Sequence, residues 1–231
     1  MDNPVVIIEN INKQYGRRKK IFNDFSISFP ANRVIGILGE NGIGKTTLLK
    51  MIADIAKPDS GTIRVNGIEV SRHTRDLVSF LIEPANLYDF MKVSHAIQYF
   101  NDFYQDFDIG KSKAICDTFR LDKRDVISRL SKGIQERVCL MLCLSRKAPL
   151  YLLDEPMAGF DPKFKKEMIK VILAHMEEEQ TLIISTHLLR DLESIFDEIV
   201  ILTDSGAIMA NTDDIRAKGQ SIEDFYMEVV E

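Results

Sequence analysis

Residues 39 to 47 read Gly39-Glu40-Asn41-Gly42-Ile43-Gly44-Lys45-Thr46-Thr47. The run from Gly39 to Thr46 matches G-x-x-x-x-G-K-[ST] at every position. A loop of this composition holds phosphoryl groups. Its glycines let the backbone curl until successive N–H groups face phosphate oxygens. A helix starting at the loop adds the positive end of its dipole. Gly39, Asn41, Gly42 and Gly44 are expected to build the cradle. Lys45 can reach the outer phosphates, the Thr46 hydroxyl can ligate Mg²⁺, and Thr47 can bond a phosphate oxygen.

A second reactive pair follows Leu150-Tyr151-Leu152-Leu153. A buried strand that ends in Asp154-Glu155 beside a phosphate loop offers two carboxylates with separate tasks. Asp154 is expected on the magnesium ion, and Glu155 on the attacking water as general base.

These groups need elements to position them. Val34-Ile35-Gly36-Ile37-Leu38 is an apolar run leading into the loop, and Leu48, Leu49, Ile52, Ile55 and Ala56 recur at helical spacing after it. Val5 to Ile8 reads as a buried strand, and Phe25 to Phe29 alternates as a half-exposed one. Thr62–Val65 and Ile68–Val70 flank Asn66-Gly67, the signal for a tight type I′ hairpin. From about Ala85 to Lys147 strand signals vanish, and Lys111–Phe119 and Gln135–Arg146 have helical period. Leu150–Leu153, Thr181–Ile184 and Glu198–Leu202 are apolar runs between helices, the pattern of a parallel sheet covered on both faces. Asp213 to Glu231 reads as an acidic terminal helix. The fold expected is α/β, a P-loop NTPase core with a mostly parallel sheet, an N-terminal antiparallel β region and a helical insertion. Residues 1–84 and 148–231 form the core and 85–147 the helical unit.

Composition narrows the function. Thirty Lys and Arg against 35 Asp and Glu give a formal charge of −5, against a nucleic-acid partner. The three cysteines, Cys116, Cys139 and Cys143, fit no disulfide framework and point to a reducing, cytoplasmic compartment. Cys139 and Cys143, four apart, are expected to pack in the core. The N-terminus has no positively charged region before an apolar stretch, and no run is long enough to span a bilayer. A membrane role therefore needs another chain.

The sequence resembles the nucleotide-binding subunits of ABC transporters. Leu130-Ser131-Lys132-Gly133-Ile134 is similar to the family's signature, most often written LSGGQ. His187, in Ile184-Ser185-Thr186-His187, resembles its switch histidine, and Gly159-Phe160-Asp161 its D-loop. Tyr15 stands where the family stacks an aromatic ring on adenine. The match runs from about Ile8 to Met209 with the motifs in the family's order. The resemblance implies ATP and Mg²⁺ as ligands and a second ATPase subunit, identical or paralogous, packed head to tail. One subunit's Lys45, Asp154, Glu155 and His187 would face the other's Ser131 and Gly133. It also implies a membrane-embedded permease partner and a peripheral place on the inner face of the membrane. Ser131 is a good helix N-cap.

Two positions depart from the pattern. The family's usual glutamine on the metal is matched here by Glu83, still a hard oxygen donor for Mg²⁺. Lys132-Gly133-Ile134 replaces Gly-Gly-Gln. LSKG-type signatures occur in a subset of bacterial exporters and antibiotic-resistance systems, which Tyr104 and Asp106-Phe107-Asp108 also resemble. Glu83 to Met91, with Leu87, Tyr88, Phe90 and Met91, is expected as a groove for a permease helix. Two other readings stand beside the exporter motor. ATPases of this type that act on DNA or ribosomes carry a long coiled coil or two ATPase domains, and the stretch from Lys45 to Asp154 leaves no room for such a coil. A regulatory module with little turnover is argued against by Glu155 and His187, while Glu83 keeps it open. The basic run Arg17 to Lys20 reads as a solvated turn, and His73, His95 and His175 as surface or packing residues.

Overall fold

The computed structural model describes residues 4–16, 19–81, 87–88, 90–157, 160–187 and 189–230. Its strands fall into two sheets. β1 (Pro4–Tyr15), β2 (Lys19–Pro30), β4 (Ser60–Val65) and β5 (Ile68–Glu69) form an antiparallel sheet in the order β2-β1-β4-β5. The second sheet joins β3 (Val34–Leu38), β6 (Val78–Phe80), β7 (Leu150–Asp154), β8 (Thr181–Ser185), β9 (Glu198–Thr203) and β10 (Gly206–Asn211) in the order β10-β9-β3-β8-β7-β6. All its pairings are parallel except that of the edge strand β10.

Side chains along the central strands alternate between two hydrophobic cores. Leu150 and Leu152 of β7, Ile183 of β8 and Val200 of β9 face the core shared with β1 and β2 and with α1 (Lys45–Ile52). Tyr151, Leu153, Leu182, Ile184, Ile199 and Ile201 face the other core. Both faces are therefore dry, which is why these strands lack a polar phase. Gly36 makes one close approach possible: a Cβ there would stand 2.7 Å from the Phe196 ring.

The second core is covered by α2 (Val93–Phe103), α3 (Ile109–Phe119) and α4 (Lys132–Leu144), which lie between β6 and β7, and by α5 (Pro162–His175). The expected α/β architecture with its mostly parallel and antiparallel sheets is present. The hairpin at Asn66-Gly67 is also present, both residues at positive φ. Cys116, Cys139 and Cys143 are free and buried, and burial pushes the Cys139 thiol up to about 12 and that of Cys143 up to about 11. They are packing residues, as expected.

One expectation is corrected, and one strand was not anticipated. β6 was not legible in the sequence. Beyond α6 (Leu189–Leu192) and the last two strands, the tail is not one helix but two, α7 (Thr212–Ala217) and α8 (Ile222–Val230). Gly219, at φ 74, sits in the break between them.

Arg146 fastens the helical unit to the sheet. Its side chain is 3% exposed. Nε and Nη2 donate to the two carboxylate oxygens of Asp106, both at 3.0 Å. Nη1 donates to the Val78 and Arg75 carbonyls, and Nη2 also to that of Asp76. The guanidinium stacks 3.9 Å from the Tyr104 ring centre. Asp108, two residues beyond Asp106, caps α3 through Lys111 N and pairs with Lys147.

Candidate functional site

The loop after β3 enters α1 through Gly44, at φ 121. A Cβ there would lie 2.6 Å from Ile21, so the residue must be glycine on both conformational and steric grounds. No side chain caps α1 and no acidic residue occupies its first turn. Its first amides and dipole are left for an anion. Lys45 is 6% exposed, and Nζ donates to the Gly39 carbonyl at 2.7 Å and the Glu40 carbonyl at 3.1 Å. Burial lowers its pKa, while Glu155 and Asp154 pull the other way. The ammonium is thus held inside its own loop, ready to exchange carbonyls for phosphate oxygens.

A cavity of about 290 Å³ opens over this loop. Asn41, Gly42, Thr46 and Thr47 line it from the loop side, Tyr15 and Glu155 from the others. Tyr15 is 48% exposed, with Lys13 Nζ 5.2 Å from its ring centre. An exposed ring beside a phosphate cradle can stack on a planar base.

Asp154 and Glu155 leave β7 opposite Ser185 of β8, the Cα partner of Asp154. The buried Ser185 hydroxyl donates to Asp154 Oδ1 at 2.5 Å and accepts from Glu155 N at 3.0 Å. Glu155 N also donates to the Ser185 carbonyl. These bonds hold Glu155 at φ 46, a left-handed conformation that costs a non-glycine residue energy and persists where neighbours over-determine it. From there Glu155 Oε2 meets His187 Nδ1 at 2.7 Å. The structure brings together Lys45, Thr46, Thr47, Tyr15 and Glu155 around one cavity and adds His187 through Glu155.

Other expected residues stand elsewhere. Ser131 takes the N-cap position of α4, but its side chain makes no capping bond. Gly133 packs near Phe160, at 3.5 Å from a built Cβ. Asp161 caps α5, its Oδ1 accepting from Lys163 N and Phe164 N, both at 3.0 Å. None of the three lines the phosphate-loop cavity. Glu83 and Gly159 lie outside the described residues, as do Arg17 and Arg18. Of the expected permease groove, Leu87 and Met91 are buried while Tyr88 and Phe90 are exposed and stacked. Among the described residues no three His, Cys, Asp or Glu side chains form a metal cage. A threonine hydroxyl and one carboxylate beside a phosphate loop are nevertheless a donor set that suits Mg²⁺, which completes its shell with phosphate oxygens and water.

Sequence reasoning missed Ser185. Its one signal was a hydroxyl at a strand end beside the carboxylate strand. Ser185→Ala removes a bond to each carboxylate residue while leaving the cradle intact. Turnover is expected to fall roughly tenfold at unchanged ATP affinity, from a loss of about 1–2 kcal/mol in positioning. Steady-state ATPase kinetics check this, and an unchanged kcat would deny Ser185 the role.

Fold and site together define a nucleotide-binding domain of the phosphate-loop class. A family model described as ABC transporter matches residues 22–158, and the chain belongs to that family. It is 27% identical to the ABC transporter ATP-binding protein YtrB of Bacillus subtilis, over 80% of this chain and 65% of that protein. It is 30% identical to the bacitracin transport ATP-binding protein BcrA of Enterococcus faecalis, over 86% of this chain and 66% of that protein. The chain thus spans a little under two thirds of each relative's length. In fold it is similar to a solved ATP-binding subunit of an ABC transporter, with a TM-score of 0.85 over 97% of this chain and 98% of that one, at 22% identity.

Proposed function

We propose that the chain binds ATP and Mg²⁺, closes on a second ATPase subunit, and by hydrolysis drives a separate membrane-embedded permease as an exporter. One observation carries the reading: Ser131 and Gly133, at the exposed start of α4, are absent from the lining of the phosphate-loop cavity. A signature helix whose cap hydroxyl is uncommitted has its use on another subunit's nucleotide. The second subunit is an identical copy or a paralogue.

Lys45 and the α1 amides bind and orient the phosphates. Thr46 and Asp154 hold Mg²⁺, which when bound supplies charge neutralisation at the outer phosphates. Glu155 accepts the proton of the attacking water, and His187, through its bond to Glu155, sets where that carboxylate points. Tyr15 stacks on the base. Loss of the outer phosphate removes what Ser131 and Gly133 grip, and the pair opens, a ligand-controlled switch. Asp161, at the start of α5, comes to the same interface, and Glu83 is assigned to the metal by its place in the sequence. No helix among the described residues is long and apolar enough to cross a membrane, which supports a permease on another chain and a peripheral place on the inner face. The similarity to BcrA, a bacitracin transport ATP-binding protein, supports a part in transport.

Light scattering tests the composite site. A Glu155→Gln chain is expected to run as a monomer with ADP and a dimer with Mg²⁺-ATP. Adding Ser131→Arg is expected to restore the monomer while ATP binding persists. A dimer that survives Ser131→Arg would remove the signature from the interface.

A further inference from the structure

A second cavity, of about 770 Å³, lies between the end of α3 and the outer face of α5, away from the phosphate loop. Its lining is basic. Arg120 enters from α3, Arg137 from α4, and Lys163, Lys166 and Lys170 from α5. The three lysines follow i, i+3, i+7 spacing and so share one stripe of the helix.

Five cations gathered on one cleft without paired carboxylates set it apart. Some cations elsewhere are matched: Lys165 on the same helix pairs with Asp191, and Arg64, Arg75, Arg124, Lys147, Arg190 and Arg216 each have a carboxylate. Among the described residues none of the five cavity cations enters an ion pair. The cavity does hold two carboxylates, Asp161 and Glu167. Asp161 is committed to the N-terminal amides of α5, which leaves Glu167 against five positive charges. His175, also in the lining, is held toward its neutral form by burial and by the charge of Lys111.

One further observation points to a ligand. The Arg137 guanidinium carbon lies 3.6 Å from the Phe164 ring centre, and its buried Nε has no hydrogen-bond partner. Arg120 ends α3 as its left-handed C-cap, at φ 55, which fixes where its side chain leaves the helix. The volume falls within the range of small-molecule sites. Cations spread along both walls suit several linked anionic groups better than one.

We infer that this cleft binds a small polyphosphorylated anion. Guanidinium and ammonium groups match phosphate in charge and hydrogen-bond geometry. The site joins α4, which carries Ser131, to α5, which begins at Asp161, so its ligand bears on the relative placement of the signature and the catalytic core. It does not depend on the transport reading.

The probe is inorganic tripolyphosphate, read by amide hydrogen exchange on the whole chain so that the two phosphate sites separate. Protection is expected at residues 118–120 and 163–170 as well as over the phosphate loop. Lys166→Glu with Lys170→Glu is expected to weaken the first protection at least tenfold, leave the second intact and leave basal ATP turnover unchanged. Raising the salt should weaken it steeply, since the contact is with exposed charges. Protection confined to the phosphate loop, or protection of α5 that the double variant retains, would overturn the proposal. Vesicles containing phosphatidylglycerol form the second arm. Protection of α5 by vesicles and not by tripolyphosphate would overturn the free anion in favour of a lipid surface.

Discussion

Glu155→Gln is expected to lower ATP turnover at least ~10²-fold while ATP still binds. The carboxylate lies at the edge of the phosphate-loop cavity, placed there by its backbone's bonds to Ser185 and aimed by its bond to His187. The amide that replaces it keeps the shape and can still accept from His187 Nδ1, now at 2.7 Å from Oε2. What it cannot do is take a proton from water. Lys45, Thr46 and the start of α1 are untouched, so affinity should change little. Phosphate release and nucleotide binding, measured on the same preparation, check both halves. Turnover within threefold of the parent would place the base elsewhere. Loss of binding together with turnover would make Glu155 part of the cradle instead.

Arg146→Met is expected to destabilise the chain by about 3–5 kcal/mol, because removing one partner of a buried pair strands the groups it satisfied. Here those are the Asp106 carboxylate and the carbonyls of Arg75, Asp76 and Val78. Asp106 keeps 26% of its side chain exposed, which puts the effect toward the lower end. For a chain of this length the melting temperature should fall by roughly 10 °C. Arg146→Lys, which keeps the charge but not the fork, should fall between. A thermal melt decides it. A drop of less than about 3 °C would mean that the carbonyls find water and that the clamp is dispensable.

The phosphate loop, the Asn66-Gly67 hairpin and the apolar central strands were legible because the signal is local. Each is set by residue types within a few positions of one another. β6 was not: Val78-Ser79-Phe80 is too short to show a period, and it is a strand because β7 pairs with it. Ser185 was missed for a similar reason. Its importance comes from register, which sets it beside Asp154 across two strands. Asp106-Phe107-Asp108 was readable only as a resemblance, since Arg146, the partner of Asp106, is 40 residues away and bonds carbonyls 68 to 71 residues before itself. The tail was read as a single helix from its composition, and the break at Gly219 is a matter of one backbone angle. Ser131 was read correctly as a helix start, yet its hydroxyl does not perform the cap.

The core that α2, α3 and α4 share with α5 and with one face of the central sheet is continuous: Phe100, Phe119, Met141, Tyr151 and Met168 belong to one packed cluster. Two bodies joined by a loop can swing as on a hinge, but bodies that share a core cannot part without exposing it. Any turn of the helical layer over the sheet must therefore be shear, made of small slides between interdigitated side chains, each within reach of a rotamer change. The Phe119 and Phe164 rings, in edge contact at 5.4 Å, lie within that shared layer and would have to slide past each other in any such shear.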